Sequence, residues 1–88
     1  MPAYRVVTTT SELPFGTFFT TINRYPIKDG ALVLVRIGDS LWIGRLLKNI
    51  AGLDWLRMPG QWVPIIGQVI IEILGEIVML DNLRPCWN

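Results

Sequence analysis

Two apolar runs, Ala31–Ile37 (ALVLVRI) and Leu41–Leu47 (LWIGRLL), flank the turn letters Gly38-Asp39, with Ser40 opening the second run. A Gly-Asp pair between β-rich apolar segments favours a two-residue hairpin, because glycine accepts the positive φ that such turns need. A hairpin fixes register, so Val35 falls opposite Trp42, Leu34 opposite Ile43 and Val33 opposite Gly44. Arg36 and Arg45 then lie on the face away from Trp42, and Gly44 leaves a gap in the sheet. With 88 residues the chain is one small domain, too short for a full dinucleotide-binding domain, a TIM barrel or two independent cores.

The flanking segments carry weaker β signals. Tyr4–Thr10 predicts an edge strand, Pro14 and Gly16 interrupt it, and Thr17–Ile22 predicts a short strand. Asn23–Gly30, with Pro26 and Asp29-Gly30, predicts a loop and turn. Lys48–Gly52 predicts a second turn, and Leu53–Met58 a strand with Leu53, Trp55 and Arg57 on one face. Pro59-Gly60 ends it, and Pro64 makes Trp62–Ile66 an edge strand or an irregular segment. Val69–Leu80 is the longest element. Read as a strand, it puts Val69, Ile71, Ile73, Ile77 and Met79 on one face and Glu72 with Glu76 on the other, with a bulge at Gly75. A helical alternative gathers Gln68, Glu72 and Glu76 into one polar stripe. The density of Ile and Val and the interior glycine favour the strand. The expected fold is mostly β, a compact antiparallel sheet in the form of a partly open barrel. It forms a single domain over 1–88, with N-terminal strands and a loop over 1–25 and the core over 26–80.

Composition narrows the chemistry. The chain has no histidine and one cysteine, Cys86, so no His-dependent triad, Cys-His dyad, His metal site or intrachain disulfide can form. Eight basic and seven acidic residues leave a net charge of +1, without the Lys/Arg excess of a nucleic-acid-binding surface. Hydrophobic residues make up 51% and charged residues 17%, against a typical ~25% charged. The apolar stretch Val63–Leu80 contains Gln68, Glu72 and Glu76, and two carboxylates at hydrocarbon depth argue against a membrane span. No secretory leader is visible at Met1–Arg5, so the expectation is a cytoplasmic protein with no membrane, nucleic-acid, metal or cofactor partner.

The motifs are sparse. Gly38-Asp39-Ser40-Leu41 spells the opening of one lipase and esterase family, but the base histidine is missing, and a hairpin turn explains the letters. A serine–lysine dyad needs no histidine; Ser11 or Ser40 with Lys28 or Lys48 are its candidates, each equally explained as a turn serine and a solvated lysine. The carboxylates stand singly, and Glu72 with Glu76 reads as a solvated face or interface rim. Trp42, Trp55 and Trp62 lie in or near expected strands, where core or subunit packing is the expected use and stacking on bases or sugars the alternative.

Several segments occur in a telling order: Pro26-Ile27-Lys28-Asp29-Gly30, Leu32-Val33-Leu34-Val35, Gly38-Asp39, Gly44-Arg45-Leu46-Leu47, Leu56-Arg57-Met58-Pro59 and Ile71-Glu72-Ile73-Leu74-Gly75-Glu76-Ile77-Val78. This series resembles the C-terminal domain of LexA, UmuD and the lambdoid phage repressors, whose fold is also the core of signal peptidases. It covers roughly two thirds of the chain. The resemblance implies a serine nucleophile ahead of the proline and a lysine immediately before Arg-Leu. Counting from Pro26 puts Asn23 at the serine position, counting from Gly30 puts Ile22 there, and Gly44 stands at the lysine position. Asn23 and Gly44 are therefore the vestigial dyad positions.

The resemblance implies a non-catalytic dimerisation or protein-interaction module, with phage or stress-response regulation as its setting. Ile71, Ile73, Ile77 and Met79 are its expected homodimer interface. Val33, Val35 and Trp42 are its expected peptide cleft, with Gly44 as an uncharged floor. The alternatives are a small self-cleaving domain using Thr21 or Ser40 with Lys48, and a small β-barrel adaptor.

Overall fold

The computed structural model describes residues 2–67 and 71–80. Among them lie seven strands and no helix: β1 Tyr4–Arg5, β2 Phe18–Ile22, β3 Leu32–Ile37, β4 Ser40–Ile50, β5 Leu53–Met58, β6 Gln61–Pro64 and β7 Ile71–Met79. They form one antiparallel sheet in the order β1-β2-β7-β3-β4-β5-β6. β1 and β6 each have a single neighbour, so the sheet is not closed into a barrel. The central hairpin has the expected register, with Val35 opposite Trp42, Leu34 opposite Ile43 and Val33 opposite Gly44.

β3 explains why its sequence runs apolar without alternation. Leu32, Val33, Leu34 and Val35 are all buried, because both faces of the central strand are covered. On one face Val33 and Val35 pack with Leu46, Leu56 and Met58, roofed by Ile27 and Ala31 from the 23–31 loop. That loop is tied down by Gly30 N–H to the Leu46 carbonyl (2.7 Å) and by Leu46 N–H to the Ala31 carbonyl (2.9 Å). On the other face Leu32 and Leu34 pack with Phe19 and Ile77 beneath Val6 and Leu13 of the N-terminal arm.

Two boundaries differ from expectation. The first strand stops at Arg5; farther along, the Thr10 backbone N–H donates to the Thr8 hydroxyl (3.3 Å), a local bond in place of a ladder bond. β4 runs on to Ile50 and reverses through Ala51-Gly52, at φ 53° and 80°, the backbone of a tight primed turn. The register slips between Leu47 and Ile50. Asn49 absorbs that slip at φ 55°, its N–H held by the Asp54 carboxylate at 3.0 Å.

The largest correction concerns β7. Leu34 pairs with Gly75 and Val35 with Ile73, so Leu74 is an extra residue and the side-chain alternation inverts across it. Ile71 and Ile73 therefore pack on the Val33–Leu56 cluster, while Ile77 enters the Phe19–Leu34 cluster and Met79 lies opposite Phe19. The expected single face of Ile71, Ile73, Ile77 and Met79 does not exist. Glu72 and Glu76 likewise part company: Glu72 meets Arg36 at 3.1 Å on the surface, and Glu76 is buried. The bulge sits where β2 presses closest, since a Cβ on Gly75 would lie 2.9 Å from both the Ile22 carbonyl oxygen and Thr21 Cβ. The helical alternative is overturned, with Glu72 and Glu76 both in strand. Gln68, Val69 and Cys86 lie outside the described residues.

The β6 edge is blunted. The two-residue Pro59-Gly60 turn and the Ile65 N–H to Asp54 carbonyl bond (2.9 Å) point the backbone groups of Gln61, Val63 and Ile65 inward. Trp62 and Pro64 then face outward, and Pro64 has no N–H to offer an incoming strand.

Candidate functional site

The N-terminal arm shapes the main concavity. Val6 pairs with β2's approach through its N–H to the Thr17 carbonyl (2.9 Å) and its carbonyl to Gly16 N–H (2.8 Å). Farther along, the Glu12 carboxylate accepts from Arg45 Nε at 3.2 and 3.3 Å and stands 3.6 Å from Arg57. These two attachments arch the arm over the sheet. Under the arch lies a groove of about 490 Å³. Tyr4 stacked on Phe19 (centroids 5.4 Å apart) forms one wall, and the cross-strand pair Leu34 and Ile43 lies at its base. Leu41 stands half exposed at the rim, at 50%, whereas Trp42 pairs with Val35 and turns its half-exposed side chain to the opposite face. The polar side chains bordering it are the neutral Thr8, Thr10, Ser11, Ser40 and Gln61. Arg5 contributes backbone only, because its guanidinium lies over Phe15 and Phe18 on the other face.

The positions singled out from the sequence are not assembled into one site. Ile22, Glu76, Val33 and Gly44 form one row across β2, β7, β3 and β4. Asn23 follows that row at an exposed position, three strand spacings, about 14 Å, from Gly44. The gap left by Gly44 is filled: a Cβ there would fall 2.7 Å from Leu56 Cγ and closer still to Leu56 Cδ1. Val33 and Val35 are fully buried core, so they form no cleft floor, and the Trp42 side chain shares their face, away from the groove beneath the arm. Ser40 and Lys48 lie at opposite ends of β4, roughly 26 Å apart along the strand. Thr21 pairs with Ile77 on the far side of β7 and β3 from β4. Ile77 is fully buried within the chain and offers nothing to a partner.

Two buried polar groups escaped the sequence reading. Thr20 is fully buried, its hydroxyl donating to the Pro2 carbonyl. Glu76 is 1% exposed, and its Oε2 has no hydrogen-bond partner. The signal for Glu76 was present in Gly75, since a bulge there moves the next side chain to the roofed face. Among the described residues the tryptophans do not serve as core: Trp42 and Trp62 are half exposed and Trp55 half buried. Among the described residues no group of three or more His, Cys, Asp or Glu is placed to hold a metal ion, and no helix is long and apolar enough to cross a membrane.

No family model, curated protein or solved structure matches the chain.

Proposed function

We propose that this domain is a non-catalytic protein-interaction module that seats an extended apolar segment of a protein partner in the groove between the N-terminal arm and β4. The observation that carries the reading is the groove itself, apolar at its base, bordered by neutral residues, and rimmed by the half-exposed Leu41. Exposed large apolar side chains around a concavity mark binding surfaces. The blunted β6 edge supports side-chain recognition over strand addition at that side of the sheet. A homodimer, with a second copy supplying the segment, is the simplest version. The sequence likeness to repressor C-terminal domains is the reason to look for the partner in phage or stress-response regulation.

The test is selection of a displayed peptide library against the whole chain, with light scattering for oligomeric state. Extended apolar peptides that bind the chain and lose affinity on Leu41→Glu support the reading, as does a dimer that the same substitution dissociates. A monomer that enriches no Leu41-dependent peptide overturns it.

A further inference from the structure

A second concavity adjoins the first and is chemically unlike it. It is an open cleft of about 820 Å³ between arm residues 9–12 and the Met58–Trp62 turn. Trp62 is half exposed and lines it, and Arg57 is its cross-strand partner on the same face. Trp55 meets Trp62 edge-on at 6.2 Å and is itself fixed by its indole N–H to the Ile50 carbonyl (2.9 Å). Trp55 therefore supports the Trp62 indole at one edge, and the rest of that ring is open to a ligand. Glu12 lies across from Arg57 at 3.6 Å, and Thr9, Thr10 and Ser11 bring hydroxyls to a lining that also includes Met58 and Pro59.

These groups match one ligand chemistry. A pyranose ring has a C–H face that packs on an aromatic plane and a rim of hydroxyls, each of which donates and accepts hydrogen bonds. The cleft offers an indole platform, a guanidinium donor, a carboxylate acceptor and three hydroxyls that both donate and accept. Arg57 is the one cation among the lining residues and is ion-paired with Glu12, which Arg45 also shares, so the cleft lacks the cluster of free cations that a phosphate backbone needs, and the polar lining disfavours an apolar peptide. We infer that this cleft binds a neutral saccharide, with one pyranose unit stacked on Trp62.

The inference stands apart from the groove proposal and is tested separately. The whole chain, labelled with nitrogen-15, is titrated with maltohexaose, cellohexaose and hexa-N-acetylchitohexaose while the indole N–H resonances are followed. At least one of the three is expected to shift the Trp62 resonance with a Kd of ~1 mM or tighter. Trp62→Ala is expected to weaken that binding roughly tenfold or more, the usual cost of a lost stacking platform. Trp62→Phe, which keeps a ring, should retain most of it, and Trp42→Phe should leave it unchanged. No shift with any of the three sugars overturns the inference. So does wild-type affinity in a Trp62→Ala variant that melts as the wild type does, or a response at Trp42 instead of Trp62.

Discussion

Glu76 offers the sharpest test of how this sheet is held together. Its carboxylate sits on the roofed face between Ile22 and Val33, its cross-strand neighbours, with one oxygen unpartnered. Burying a polar atom without a hydrogen bond costs about 1–3 kcal/mol in proteins. Leucine has a similar branched outline and no polar atom, and the row around it is aliphatic. Glu76→Leu should therefore stabilise the fold by about 1–3 kcal/mol, unusual for a single substitution, since most destabilise. For a domain of this size each kcal/mol moves Tm by roughly 4–8 °C, so the midpoint should rise by roughly 4–24 °C. Urea unfolding should show a higher midpoint at an unchanged slope, which separates a stability gain from a change in the unfolded state. Glu76→Gln keeps the outline but still buries polar atoms, so it should gain much less. A Glu76→Leu variant that melts below wild type would refute the argument, because it would mean that the carboxylate has a favourable partner in the folded chain.

Three further outcomes follow from the geometry. Gly44→Ala forces a methyl into Leu56 and should cost about 1–3 kcal/mol in urea unfolding, and Leu56→Ala in the same chain should make the two costs add to less than their separate sum. Glu12→Gln removes the carboxylate that Arg45 and Arg57 share, and should cost about 1 kcal/mol or less, a difference that narrows as salt is raised from 0.01 to about 1 M. Pro64→Val restores an outward N–H on β6, so sedimentation should show concentration-dependent association absent from the wild type.

The hairpin was legible because its information is local: Gly38-Asp39 sets the turn, and the turn sets every pair from Ile37↔Ser40 to Leu32↔Arg45. The strand at Leu53–Met58 and the reversal at Pro59-Gly60 were legible for the same reason. The faces of β7 were not. Gly75 announced a bulge, but the extra residue, Leu74, is defined only by pairing with β3, and that pairing decides where Ile77 and Glu76 point. The groove was hidden more deeply. Tyr4 and Phe19 meet only because β1 pairs with β2, and Glu12 reaches Arg45 and Arg57 only because the arm arches back. Nothing in the spacing of Glu12 marks it as a fastener. Gly44 misled in the opposite sense: an absent side chain reads as a gap in one dimension, and in three Leu56 occupies it.

The position of β7 also shapes how the chain must reach this fold. It lies between β2 and β3, so Phe19 waits for Met79 and Val33 waits for Glu76. β3 through β6 can assemble as a local meander, but until β7 docks, the β3 edge is a long, apolar row of open backbone groups. Such non-local closure is slow, in the millisecond-to-second range of β-rich domains. During that interval the vacant slot cannot tell its own β7 from that of a neighbouring molecule. Refolding at high concentration should accordingly yield strand-exchanged dimers, each slot filled by the other chain's β7.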